Sequence, residues 1–176
     1  MDTKQILLLI NQAIENLLDN ENEILVRKIN ERNLSSHLAY YLKPLFPDYN
    51  VDPEYNGDVD KPNDKKALDI ARNRITQIGY KPNKGNNYKF SPDIIIHKRG
   101  TNEYNLVVIK VKKDTSPQND RAYDHIKLEH LTIDYSGNHY NYKLGVAITF
   151  GTSTKMGEVT KIFFQEGVPK AEEDLK

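Results

Sequence analysis

The sequence predicts a mixed α/β domain, an α+β arrangement in which a central sheet of parallel and antiparallel strands carries helices on its faces. Three observations predict it. Two runs rich in isoleucine and valine, 92–98 and 105–112, are joined by a short polar segment and suit a hairpin. A helical stretch, 119–135, separates the second run from a third, 143–150. That is the length of a right-handed crossover between parallel neighbours. Two amphipathic stripes precede all of this in the chain.

Taken in order, Leu7, Ile10, Ile14 and Leu17 recur at spacings of three and four, the stripe of a helix. The polar stretch DNENE interrupts it. A second stripe, Leu34, Leu38, Leu42 and Leu45, stops at FPDYN, where Pro47 suits a helix end. Residues 49–55 read as a short strand weakened by Pro53, and 57–64 as a loop. Leu68, Ala71, Ile75 and Ile78 form a third helical stripe closed by Gly79. Residues 80–88 are turn-rich and basic. The near-continuous apolar runs III and LVVI suggest strands buried on both faces. In the helix at 119–135, Ala122, Ile126 and Leu131 are the inward positions. KLGVAITF is a strand, EVTKIFF a last strand at the sheet edge, and PKAEEDLK a frayed polar tail. The expected organisation is one domain, 1–176, with amino-terminal helices at 1–46. A mixed-sheet core of four to five strands follows at 49–165, with an inserted helix at 64–79, and a polar tail at 166–176.

Composition narrows the function classes. Charged residues make up 28% and hydrophobic ones 38%, a globular balance with a wet surface. Formal net charge is zero, so no bulk basic excess points to nucleic acid, although a local basic patch is compatible with that sum. No apolar run reaches the ~18–20 residues that span a bilayer. The start, MDTKQILLLINQAIENLL, has acidic and polar residues inside it and no small-residue cleavage site after it, so it reads as an amphipathic helix and the protein as cytoplasmic. There is no cysteine, which removes disulfides, thiolate zinc sites and cysteine nucleophiles together. The five histidines lack metal-site spacing, and no phosphate-binding glycine loop occurs.

The residues that can carry chemistry gather around the predicted hairpin. Residues two apart on a strand share a face, roughly 7 Å apart, so Lys110 and Lys112 point one way and Ile109 and Val111 the other. Asp93 opens the neighbouring strand and can sit beside the lysines. A carboxylate with a lysine at a strand mouth is the minimal equipment of a Mg²⁺-dependent phosphodiesterase. The carboxylates hold a hard cation, the cation activates a water, and the lysine orients it or offsets developing charge.

In this stretch PDIIIH, then NLVVIKVKK, then DHIKL resembles the PD-(D/E)xK nuclease superfamily, the restriction-endonuclease-like fold. It is similar in particular to small bacterial members. The resemblance reaches more weakly to ERNLSSHLAYYL and VDPEYN and so covers about residues 31–150. It implies a restriction-endonuclease-like core, phosphodiester hydrolysis with Mg²⁺ or Mn²⁺, DNA as the partner, and the option of a homodimer. Asp93 matches the metal-binding aspartate and Lys112 the motif lysine. Glu31 matches an amino-terminal helix glutamate that some members add to the metal site. Lys110 falls where the pattern places the second acid. An ammonium has three donors and no acceptor, so it cannot ligate a cation. A Lys110–Asp93 salt bridge would occupy the metal's place. Three explanations stand open: a natural inactivation that leaves a binding module, a single Glu→Lys change, or an acid that has migrated, with Glu54 or Glu31 replacing the missing ligand.

Each residue also has a plainer reading. Asp93 after Pro92 is a good turn residue, and Glu31 a glutamate favoured by the helix dipole. Glu54 is a surface charge at a strand end. Asp124 and Lys127 form a helical ion pair worth a few tenths of a kcal/mol. His97, on the same side of its strand as Asp93 but some 13 Å along it, is structural. Tyr135, Tyr140 and Tyr142 either pack or stack on bases. If the domain binds without cutting, Lys110, Lys112 and Lys113 supply phosphate contacts with Lys81, Lys84, Lys89, Lys98 and Arg99. A domain that binds a protein partner is the third option.

Overall fold

The first stripe forms helix α1 (Thr3–Asn20). Asp2 caps it by accepting the Gln5 N–H at 2.8 Å, which satisfies one of the orphan donors of the first turn. Its apolar stripe, Ile6, Ile10, Ile14 and Leu17, is buried. The polar stretch that follows holds a short helix, α2 (Asn22–Val26), because Ile24 and Leu25 find cover in the core. Helix α3 (Glu31–Leu42) is capped by Asn30, which accepts the Asn33 N–H at 2.8 Å, and it buries Leu34, Leu38 and Leu42. Throughout, the computed structural model describes residues 1–26, 30–55, 67–68, 72–80, 88–89, 91–133 and 140–175.

Strand β1 (Asn50–Pro53) lies antiparallel on β4 (Ile94–His97), and β4 lies antiparallel on β5 (Val107–Lys113). Helix α5 (Gln118–Leu131) then crosses to β6 (Leu144–Phe150), which pairs parallel with β5 in the register Lys110↔Ala147 and Lys112↔Thr149. Strands β7 (Val159–Gln165) and β8 (Val168–Lys170) complete an antiparallel end. The order is β1-β4-β5-β6-β7-β8. A separate pair, β2 (Ala67–Leu68) with β3 (Tyr88–Lys89), flanks the short helix α4 (Arg72–Gln77).

The molecule is therefore a mixed α/β protein on a mixed sheet, and four sequence expectations need correction. The sheet has six strands, not four to five. β7 is not the edge, because β8 pairs along it. The tail is not frayed: Leu175 is buried in the core, and Glu172 meets Asn11 and Lys161. Leu68 lies in a strand rather than in the inserted helix, since its backbone pairs with Tyr88. Ile75 is buried as expected, and Gly79 takes a φ of 68° at the end of that segment, a conformation open to glycine. Ala71, the loop at 57–64, Lys81, Lys84 and Tyr135 lie outside the described residues. No helix among the described residues is long and apolar enough to cross a membrane.

Alternation along the strands divides the core in two. Ile94, Ile96, Val107, Ile109 and Val111 face α1 and α3. Ile95 and Val108 face α5 with Ala147 and Phe164. Helix α5 lies close to the sheet because β6 has glycine at 145, where a Cβ would stand 3.1 Å from the Thr132 methyl and 3.4 Å from the Leu128 Cβ. Tyr140 and Tyr142 are buried in this second cluster, which makes them packing residues.

Candidate functional site

The site follows from strands of unequal length. β4 begins at Ile94, opposite Ile109, while β5 runs on to Lys113. The Val111 N–H thus projects past the end of its partner strand. Asp93 takes over the pairing: its Oδ2 accepts the Val111 N–H at 2.7 Å. That contact aims Oδ1 at the even-numbered side chains of β5, and Oδ1 accepts from Lys110 Nζ at 2.8 Å. Lys110 also donates to the Ser91 carbonyl at 3.3 Å and is 7% exposed.

Opposite this pair, α5 contributes a second carboxylate. Asp124 is 5% exposed. Its Oδ1 is 2.9 Å from Lys127 Nζ and 4.0 Å from Lys110 Nζ, and its Oδ2 is 3.5 Å from Lys112 Nζ. Glu31 arrives from the other side of the sheet, at the first turn of α3, where Asn30 sets the helix start. Its Oε2 accepts from Lys112 Nζ at 2.9 Å and its Oε1 accepts from the Ser116 hydroxyl. Three ammonium groups and three carboxylates thus interlock at one end of the sheet.

Burial and pairing compete at each group, and the winner differs. Burial alone would raise the Asp124 carboxyl, but Lys110, Lys127 and Lys112 hold it below its ordinary value. Glu31 is likewise lowered, with burial outweighed by the Ser116 hydroxyl and Lys112. At Lys112 burial is overcome by Asp124 and Glu31, and its pKa rises. At Lys127 burial prevails over Asp124, and its pKa falls. Lys127 also lies 4.0 Å from the centre of the Tyr123 ring, a contact that supports an ammonium.

The structure brings Asp93, Lys110, Lys112 and Glu31 together. Glu54 adjoins them through its backbone, since its N–H donates to the Asp93 carbonyl at 2.9 Å. Its carboxylate does not join the cluster. It pairs with Arg32 at the surface, and the residue adopts a left-handed φ of 53°. Sequence reasoning missed Asp124 and Ser116. Asp124 is part of the expected ion pair with Lys127, but that pair is buried against the sheet rather than exposed. One signal existed: Asp124, Leu128 and Leu131 stand at i, i+4 and i+7, so the aspartate occupies a slot on the inward face. Ser116 carried no signal, because its role is set by where the loop after β5 meets α3.

Two basic residues named with the cluster lie elsewhere. Lys98 and Arg99 follow β4 at the far end of the sheet. Lys98 Nζ is 5.0 Å from the centre of the Tyr104 ring. Arg99 binds Asp52, its Nε donating to Oδ2 at 2.8 Å, and His97 Nε2 is 3.0 Å from the same oxygen. This places His97, 2% exposed, in a buried structural network.

No family model, curated protein or solved structure matches this chain.

The metal that the sequence resemblance implies can be tested against these donors. One Asp93 oxygen holds an ammonium and the other a backbone N–H. Among the described residues no group of three or more His, Asp and Glu side chains could hold a metal ion. The donor set does not fit Mg²⁺ or Mn²⁺. What the arrangement offers is a charge-balanced end of the sheet in which Lys112, 20% exposed at its side chain, is the most exposed of the three lysines.

Proposed function

We propose that this chain is a restriction-endonuclease-like, PD-(D/E)xK-type domain of the DNA nuclease lineage. In it Lys110 stands where a metal-bridging acid would stand, and the domain binds DNA without cutting it. The observation that carries this reading is the 2.8 Å contact between Lys110 Nζ and Asp93 Oδ1. A glutamate at 110 would leave four carboxylates facing Lys112 and Lys127, a surplus of two negative charges that suits a divalent cation. Lysine there changes the local charge by two units, as binding of such a cation would. The order PDIIIH, hairpin, NLVVIKVKK agrees with the lineage, as does the place of Asp93 and Lys112 at one strand end.

The test compares the protein with its Lys110→Glu variant. Each is titrated with Mg²⁺ and Mn²⁺ by calorimetry and then incubated with plasmid DNA. The expected outcome is that only Lys110→Glu binds metal and cuts, and that Asp93→Ala placed on top abolishes both. Cleavage by the unaltered protein, lost on Asp93→Ala, would overturn the inactive reading. Metal binding and cleavage by neither form would overturn the nuclease lineage.

A further inference from the structure

Beside the ion cluster, on the α5 face of the sheet, lies an open cleft of about 320 Å³. Arg121 and His125 of α5 form one wall, and Thr149 of β6 and Thr160 of β7 form its floor. Lys155 comes from the turn between those strands. The cleft continues the cluster directly. Lys112 pairs with Thr149 in the parallel ladder and Thr149 with Thr160 in the next, so the three residues form a row across β5, β6 and β7. Neighbouring strands are about 4.8 Å apart, so the row spans roughly 10 Å.

The groups in the cleft suit phosphodiester oxygens. Arg121 Nη1 donates to the carbonyls of Asp114 and Ser116 at 3.0 and 2.8 Å. These contacts hold the guanidinium in place and leave its other N–H groups for a ligand. Lys155 is exposed and makes no ion pair within 4.0 Å among the described residues, although, with the Thr152 hydroxyl, its charge helps hold the Asp114 carboxyl below its ordinary value. Two threonine hydroxyls line the same cleft. Of the two acids present, Asp114 is engaged: its Oδ1 accepts from the Thr152 N–H at 3.0 Å and the Thr152 hydroxyl at 2.7 Å. Glu158 is exposed at the rim. The turn is pinned by Gly151, where a Cβ would stand 2.0 Å from the Lys155 carbonyl oxygen, so only glycine allows this path.

We propose that this cleft seats the phosphodiester backbone of a DNA strand, with Arg121 and Lys155 as the charge contacts and Thr149 and Thr160 as hydroxyl donors. The proposal rests on the DNA-binding reading above. It supplies, at the cluster's own end of the sheet, the cationic contacts that Lys98 and Arg99 cannot make from the other end.

The test is binding of a short fluorescent duplex DNA by anisotropy across a salt series, with single-stranded RNA of the same length in parallel. The unaltered protein should bind the duplex with a steep salt dependence. In Arg121→Gln/Lys155→Gln the log–log salt slope should flatten by about 2, near one unit per lost phosphate contact. Lys155→Gln alone should flatten it by about 1. This single variant touches no ion pair of the fold and guards against misfolding of the double variant. Glu158→Gln should tighten binding. Duplex binding with unchanged slopes in both lysine variants would overturn the cleft assignment and leave the DNA-binding reading intact. Binding of RNA but not of the duplex would overturn DNA as the occupant. Failure of the unaltered protein to bind either would overturn both proposals together.

Discussion

The two ends of strand β4 solve one problem in different ways. Asp93 and His97 lie on the same side of the strand, and each end buries charge against the face that α5 covers. At the Asp93 end three ammonium groups and three carboxylates come from α3, the residue that precedes β4, β5 and α5. At the His97 end one carboxylate, Asp52, serves His97 and an Arg99 whose side chain is 61% exposed. The first network is assembled from elements far apart in the chain and borders an open cleft. The second ties neighbouring strands β1 and β4 and reaches solvent through Arg99. Charge that is shared among several elements and kept from water is costly to disturb. Charge that ends in a solvated guanidinium is buffered by water. The contrast supports the proposal that puts ligand binding at the first end, while the second ties strand to strand.

The largest effect should come from Asp124→Ala. It leaves Lys110 and Lys127 buried without their shared carboxylate and should cost about 3–5 kcal/mol in urea unfolding. A loss below about 1 kcal/mol would mean that the two ends do not differ in kind. Asp52→Ala should cost about 1–3 kcal/mol, because His97 loses its contact with the Asp52 carboxylate while Arg99 turns to water. Acid should weaken both ends. Asp124, Glu31 and Asp52 all have folded pKa values held below the ordinary ones. Groups of this kind stabilise above their unfolded pKa and lose that contribution as pH falls through the folded one. Stability should therefore decline below the ordinary values of 3.8 for aspartate and 4.5 for glutamate. The decline should be shallower in Glu31→Gln, as read by thermal unfolding across pH. The smallest effect should be Glu54→Gln, which removes only the surface pair with Arg32 and should cost about 0–1 kcal/mol. A larger loss would tie Glu54 to the cluster after all.

Much of the fold was legible because it depends on local periodicity. The stripes of α1 and α3, the β4–β5 hairpin and the parallel β5–β6 pair all follow from spacing and segment length. The misplaced elements were those whose identity is decided by distant partners. β8 is a strand only because β7 offers an open edge. Leu68 is in a strand only because Tyr88 pairs with it. Leu175 is buried because the end of the chain returns to the core.

The candidate site divides along the same line. Asp93, Lys110 and Lys112 could be brought together on paper, because a hairpin with a two-residue repeat puts them on one face at one end. By itself the sequence determined that side-by-side arrangement and the presence of an ammonium at the position where the resemblance implies a cation's ligand. Only the tertiary structure decided that Asp124 turns inward, that Glu31 rather than Glu54 pairs with Lys112, and that Arg121 and Lys155 share a cleft with Thr149. Those contacts cross from helix to sheet, where no sequence period links the partners. The geometry that selects them is the close seating of α5 on Gly145 and the start of α3 at Asn30.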